Sequence, residues 1–452
     1  MKKVLVLVLA LTMLLGCFTA CTTEKTSPAT AAPTTTAAPS TATAAPSTTA
    51  AEKEDGPVTI EVACAAFNEQ QQAVMAAIAQ EYHDATGNTA EVSSMDSTPY
   101  KDKLKILVAA GDALPDVFMH WAGGPMISYI EAGACIDLTD YIKNSGLEDF
   151  YIPSTNQICS YNGRQYAFGG VTMGAEPMYY NAEMFEKYGL EEPKTISDLE
   201  AICDTLVEND IIPFALANAG KWTGTIYYMY LVDRLGGPNL LPDAAARTGS
   251  FLDEGFTVAG NKLVEWVNKG YFPDGCNGLN HSNNEDLQLL YTEQACIWLY
   301  PGAVKIKNDN PEFYTKLGVC PFPAADGGEG GKSVLGSPGS NFFSISSNCA
   351  HPDAAWEFLT YLTSDTFIDG MIELGNTPPV QRAIDAQEDP LTRELLDIMS
   401  GADNIQLYWD QYLPPALGEA HKTTVQQLIG LEKTPEEINK IMEDAAVEEY
   451  GK

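Results

Sequence analysis

Positive charge is scarce in this chain. Of its 452 residues only 26 are Lys or Arg, against 61 Asp or Glu, a formal net charge of −35. Affinity for nucleic acid or for anionic membrane surfaces comes from clustered cations, so neither partner is expected. Histidine is scarcer still: His83, His120, His281, His351 and His421 are scattered, and no H-E-x-x-H or G-x-S-x-G motif accompanies them. Beyond two cysteines near the start, Cys64, Cys135, Cys159, Cys203, Cys276, Cys296, Cys320 and Cys349 are widely spaced, with no C-x-x-C pair and no zinc-type Cys/His cluster. Several lie in apolar stretches such as 62–66 and 295–298, and most read as free thiols acting as small buried hydrophobes; one or two disulfides stay open, without assignable pairing. The segment 326–333 ends in the Gly-Lys-Ser of a phosphate-binding loop but has Asp326 where the first glycine is needed, and reads as a surface turn. With 61 acidic residues no carboxylate spacing singles out a glycosidase pair. No catalytic residue, metal or cofactor is therefore expected.

The apolar run at 4–15 is twelve residues long, too short for the ~20 that a spanning helix needs. After the positive start of Lys2 and Lys3, and with small residues behind it, this run reads as an export signal. Cys17 and Cys21 each follow a small residue, in the manner of the bacterial lipobox, where the thiol is lipidated and becomes the new N-terminus. Cys21 is preferred because it abuts the linker and leaves a more usual signal length at 1–20; Cys17, with Leu14 three residues before it, is the alternative. A plain secretory signal with two incidental cysteines is the remaining reading. Within a linker placed at 21–55, residues 22–51 are almost wholly Thr, Ala, Ser and Pro, with Thr-Ala-Ala-Pro recurring, and have too little apolar surface to offset the entropy of ordering. Extended toward polyproline geometry, such a tether reaches on the order of 90 Å. That reach would lift a domain through a thick wall, and the expected location is the extracellular face of a cell membrane, lipid-anchored, in a Gram-positive type of cell.

From residue 56 the character changes. Overall 45% of residues are hydrophobic and 10% aromatic, enough for a large core and for two domains or one bilobed unit. Alternation at 58–63 and 90–93, helical spacing at 69–86 and 100–110, and an apolar run at 115–119 give β-α-β-α-β, which implies a parallel sheet. The pattern resumes with strands expected at 175–181, 212–217, 295–300 and 317–322 and helices at 198–208 and 260–268. From His351 helices dominate, the last at 435–449. Trp266, Trp356, Phe358 and Tyr361 fall at core spacing on helices.

In order along the chain, Tyr100-Lys101-Asp102-Lys103-Leu104, Ala109-Ala110-Gly111-Asp112, Pro115-Asp116-Val117-Phe118, Asn162-Gly163-Arg164-Gln165-Tyr166-Ala167, Tyr179-Tyr180-Asn181 and His351-Pro352-Asp353-Ala354-Ala355-Trp356 resemble the signature of family 1 extracellular solute-binding proteins, the carbohydrate-binding subunits of ABC importers. The likeness spans essentially 56–450. It implies an α/β, two-lobed, type II periplasmic-binding-protein-like fold with hinge crossovers and a helical C-terminal tail. It also implies a carbohydrate ligand in the cleft between the lobes, delivery to ABC permease subunits, and a monomer whose contact with the membrane is its lipid alone. Matching the pieces puts crossovers near 169–177, 320–323 and 346–352, lobe 1 at 56–172 with 322–348 returning to it, and lobe 2 at 173–321 with a 349–452 tail. A different solute on the same fold, a surface receptor, and a secreted glycosidase or esterase are the rivals.

A sugar ring offers an apolar face that stacks on Trp or Tyr and hydroxyls that need polar partners. In α/β sheets such residues lie beyond the carboxyl ends of strands. The candidates there are Asn68 and Glu69 after the first strand, Asp96 after the second and Trp121 after the third. Asn68 and Glu69 also suit a helix start, and Trp121 also suits a packed lobe edge. Trp222 stands in a polar, Gly-flanked context, and Tyr300 shares a strand face with Trp298. By resemblance, Ser340 belongs to a return strand where small residues approach ligand, and Trp409 and Asp410 to a segment that faces the cleft in some relatives. Many relatives carry Gly-x-Trp after the strand that ends near Tyr300, whereas here Pro301-Gly302-Ala303-Val304 supplies no Trp. Cationic residues near these loops are few, which argues against phosphorylated ligands.

Overall fold

In the computed structural model the described residues are 56–111, 114–327 and 333–451. The export signal, both lipobox cysteines, the tether and most of the Gly-Lys-Ser turn lie outside them.

Three sheets carry the architecture. The first orders its strands as Phe342–Ile345, Val117–His120, Thr59–Ala65 and Thr89–Met95, the last three parallel and Phe342–Ile345 an antiparallel edge. Thr59–Ala65 and Thr89–Met95 pair in register from Thr59 with Thr89 to Ala65 with Met95. Val117–His120 is buried throughout, as expected of a strand covered on both faces. The second sheet runs Leu317–Cys320, Met178–Asn181, Ala295–Leu299, Ile212–Phe214. Between them Asn404–Gln406, Ser333–Ser340 and Thr172–Ala175 make a small third sheet.

That third sheet is where the chain crosses. Thr172–Ala175 pairs antiparallel with Ser333–Ser340, and the two continue into Met178–Asn181 of the second sheet and Phe342–Ile345 of the first. The single strand expected at 175–181 is thus broken at Glu176-Pro177, because Pro177 has no N–H for a ladder and switches the chain to a new sheet. Of the segment 322–348, only Phe342–Ile345 joins the first sheet, while Phe322 and Leu335 pack in the second core.

The C-terminal helices also divide. Trp356, Phe358, Phe367, Ile368 and Met371 share a core with Ile60, Val62 and Phe118, whereas Trp409, Leu417, Val425, Leu428 and Met442 join Phe214, Ile226 and Trp266. This differs from a tail placed wholly on the second lobe. The strand Phe342–Ile345 delivers the chain at the first sheet's edge, so the next helix, Pro352–Thr360, buries its apolar face there. The tail meets the first lobe again where the helix Gly123–Glu131 begins: a Cβ on Gly123 would stand 2.0 Å from the Gln411 carbonyl oxygen, and one on Gly124 2.2 Å from that of Leu413. Only glycines allow that approach.

The buried helix Trp222–Gly236 has no counterpart in the sequence reading. It is apolar nearly all round, with residues 223–234 buried, so no amphipathic stripe announces it. The eight described cysteines are free and all but Cys349 are buried; burial alone raises Cys64 to about 12, so this thiol stays protonated and inert. No helix of the described residues is long and apolar enough to cross a membrane.

Candidate ligand-binding cleft

A cleft of about 950 Å³ lies where the carboxyl ends of the strands of the first two sheets converge. Asn68, Asp96 and Trp121 line it from the first lobe, Trp222, His281 and Tyr300 from the second, Glu176 and Ser340 from the crossover, and Tyr408 and Asp410 from the tail. The volume falls in the range of small-molecule sites, with room for several sugar rings.

On the first side, Thr59–Ala65 leads into the helix Glu69–Thr86, which Asn68 caps: its side chain accepts from the Gln71 N–H at 2.8 Å while the Gln71 side chain accepts from the Asn68 N–H at 3.1 Å. Asn68 therefore borders the cleft with its acceptor already used. Glu69, in the first helical turn, is exposed and does not line the cleft. Asp96 precedes the helix Ser97–Ala110 and makes no capping bond, which leaves its exposed carboxylate turned to the cleft. Trp121 follows Val117–His120. Lys101 Nζ stands 4.3 Å from the centre of the Trp121 ring, and Tyr100 meets the ring edge-on at 6.4 Å. A cation so placed is attracted to the ring face and occupies one side of it.

Beneath Trp121 a buried chain holds the loop. The Ala122 N–H donates to His120 Nδ1 at 3.0 Å, so the proton sits on Nε2, which donates to Ser344 Oγ at 2.7 Å; that hydroxyl donates to the Tyr166 carbonyl at 2.6 Å. Burial lowers the His120 pKa to about 3, so the ring stays neutral.

The second side is an aromatic wall. Tyr300 stacks on Trp298 with ring centres 4.4 Å apart and planes 8° apart; His281 lies 4.6 Å from Tyr300, and Trp222 lies 5.6 Å from Tyr300 and 6.0 Å from His281. Behind it Asp286, 1% exposed, accepts from Trp298 Nε1 at 3.0 Å and from His281 Nδ1 at 2.8 Å. One buried carboxylate thus fixes the back layer and the histidine in front. Trp222 is the first residue of the helix Trp222–Gly236, not part of a loop, and is half-buried in the wall.

Trp409 is not a cleft residue. It is 1% exposed and packed among Tyr228, Phe256 and His421 in the second core. Successive residues of a helix point about 100° apart, so in Trp409–Tyr412 the tryptophan enters the core while Asp410 faces the cleft. Asp410 Oδ2 lies 3.3 Å from Lys101 Nζ. Burial would raise its pKa, but Lys101 and Lys422 outweigh burial and hold the carboxyl below its usual range. Ser340 donates to the Thr172 carbonyl at 3.1 Å, which leaves its oxygen an acceptor.

Sequence reasoning confined to loops missed residues that helices present. Lys101, Lys105, Lys305 and Lys422 all line the cleft, so the expectation of few cations there does not hold. Lys101 pairs with Asp410 and Lys422 with Glu419, while Lys105 and Lys305 make no ion pair among the described residues. His281 and Glu176 were also missed. The short turn carrying His281 has no periodic signal, and Glu176 shows only the Glu-Pro that interrupts a strand.

The architecture, two α/β sheets joined by crossing strands around one cleft, is that of type II periplasmic-binding-protein-like receptors. The chain belongs to the bacterial extracellular solute-binding protein family, whose pattern matches residues 66–366. It is 25% identical over 358 residues to an uncharacterized ABC transporter extracellular-binding protein of Pyrococcus horikoshii, covering 75% of this chain and 74% of that one. It is 23% identical over 362 residues to the melibiose/raffinose/stachyose-binding protein of Bacillus subtilis, covering 75% and 78%. Among solved structures, one from work on xylan utilization by Caldanaerobius polysaccharolyticus superposes with TM-score 0.77 at 27% identity, covering 85% of this chain and 99% of that one. A chitin oligosaccharide binding protein superposes with TM-score 0.80 at 22% identity, covering 87% and 98%.

Proposed function

We propose that this protein binds a sugar or oligosaccharide in its cleft and delivers it, unaltered, to the permease subunits of an ABC importer. The observation that carries this reading is the wall of Trp222, His281 and Tyr300 facing a cleft rich in polar side chains, at the carboxyl ends of the sheets. Apolar sugar faces stack on such rings while hydroxyls find the surrounding acceptors. Relatives named for melibiose, raffinose and stachyose and for chitin oligosaccharides support it. The two lobes close on the ligand about the crossing strands Thr172–Ala175 and Ser333–Ser340, and the closed form is what the permease reads.

A thermal-shift panel of raffinose, stachyose, xylan oligosaccharides and chitin oligosaccharides tests the reading. A ligand at 100 times its Kd adds about 2.7 kcal/mol to stability. Stabilisation only by non-sugar solutes would sink the carbohydrate reading, and chromatography of the recovered ligand checks that it is unaltered. Acidic oligosaccharides belong in the panel because Lys105 and Lys305 line the cleft without an ion-pair partner among the described residues.

The protein is further proposed to be lipid-anchored on the outer face of the membrane through Cys21, or alternatively Cys17. Changing both to Ser should release it from membranes, and the single changes should identify the acceptor. Retention of the double variant would exclude lipidation.

A further inference from the structure

Glu176 stands out among the charged residues of the molecule. It sits where Thr172–Ala175 ends and the chain passes through Pro177 into the second sheet, and it is 0% exposed. Its backbone is held: the N–H donates to the Leu335 carbonyl at 2.8 Å, and its own carbonyl accepts from the Tyr230 hydroxyl. Its carboxyl is not. Neither side-chain oxygen has a hydrogen-bond partner, and no Lys or Arg forms an ion pair with it among the described residues. Yet it lines the cleft, near Tyr300 and Tyr408.

A buried carboxyl with no partner is unfavourable even when neutral. Among the described residues only the Tyr408 hydroxyl stands close enough to favour its charged form, and burial outweighs it. We infer that Glu176 is the specificity-determining polar contact at the cleft floor, acting as a neutral carboxylic acid that exchanges hydrogen bonds with an adjacent pair of ligand hydroxyls. The carboxylic O–H donates to one hydroxyl oxygen while the C=O accepts from its neighbour. The ligand class is therefore a polyol that presents vicinal hydroxyls, and no ammonium group, to Glu176. An ammonium-bearing sugar would instead require the ionised form. Desolvation pushes this carboxyl well above the usual range and outweighs the nearby Tyr408 hydroxyl, which favours the charged form. Position adds a consequence: a ligand held at the residue where the chain changes sheets bridges both lobes and stabilises their closed arrangement.

This inference rests on the carbohydrate reading, and the experiment separates the two. Glu176→Met and Glu176→Gln are prepared in the full chain, and affinities for the oligosaccharide panel and ligand-free Tm are measured. The expected result is that Glu176→Met binds at least about tenfold more weakly while its ligand-free Tm rises by about 2 °C, because an unpartnered polar group is gone. Glu176→Gln, which keeps one donor and one acceptor, should bind within about threefold of the parent. Unchanged affinity in Glu176→Met, or a fall in its ligand-free Tm, would overturn the assignment, the latter by showing a structural role. A Glu176→Gln variant as weak as Glu176→Met would overturn the neutral form by showing that the ligand hydroxyls need an ionised carboxylate as acceptor. If no sugar binds the parent chain, the carbohydrate reading falls, whereas a raised ligand-free Tm in Glu176→Met still supports a group kept for a ligand.

Discussion

The two sides of the cleft are built on opposite principles. The first lobe presents a single indole, Trp121, with Lys101 over one face and the carboxylates Asp96 and Asp410 nearby. The second presents Trp222, His281 and Tyr300 as a continuous wall, backed by Trp298 and held by the buried Asp286. A preorganised aromatic surface loses little entropy when a ring stacks on it, whereas a tryptophan whose face is shared with an ammonium must first give up that contact. Stacking energy should therefore come mainly from the second lobe, and the first should supply hydroxyl contacts and closure.

The largest effect tests where the wall stops and the core begins. Trp409→Ala should destabilise the protein by about 3–5 kcal/mol as a core truncation. Chemical denaturation measures this, and a loss of under about 1 kcal/mol would return Trp409 to the cleft. Next, Trp222→Ala should weaken sugar binding about 30-fold, roughly 2 kcal/mol, as expected of a desolvated aromatic anchor, with stability nearly unchanged. By calorimetry Trp121→Ala should lose only about three- to fivefold, since one face is already occupied. Equal losses in the two variants would erase the proposed asymmetry between the lobes.

The smallest effect concerns the ion pair joining the first lobe to the tail. The folded-state pKa of Asp410 lies below its ordinary value, through Lys101 and Lys422 acting against burial. A depressed carboxyl contributes stability that is present above its unfolded pKa of about 4 and is lost as pH falls through the lower folded value. Partly exposed pairs contribute at most about 1 kcal/mol. Asp410→Asn should thus lower stability slightly at neutral pH and flatten its decline in acid. An unchanged acid profile would show that the pair is incidental.

Much of this was legible beforehand for identifiable reasons. Alternation and apolar spacing mark Thr59–Ala65, Glu69–Thr86 and Ala295–Leu299 because each buries one face or two against a neighbour. Trp121 and Tyr300 were found because residues beyond strand carboxyl ends meet at a cleft in α/β sheets. Local pattern fails where burial is complete: Trp222–Gly236 has no polar face, so the helix that presents Trp222 leaves no periodic trace. Adjacent residues with opposite fates fail too, because whether Trp409 or Asp410 faces the cleft depends on the helix's rotation against the second core.

By itself the sequence determined the alternation of strand and helix, the two-lobed class and the acidic exterior, since these follow from local periodicity and net charge. Tertiary structure alone decided that His281, Trp298 and Asp286 form one unit across three elements, that lysines from three helices enter the cleft, and that the Glu176 carboxyl is buried with no hydrogen-bond partner among the described residues. Those properties depend on distances between residues far apart in the chain, and on the exclusion of water by everything packed around them.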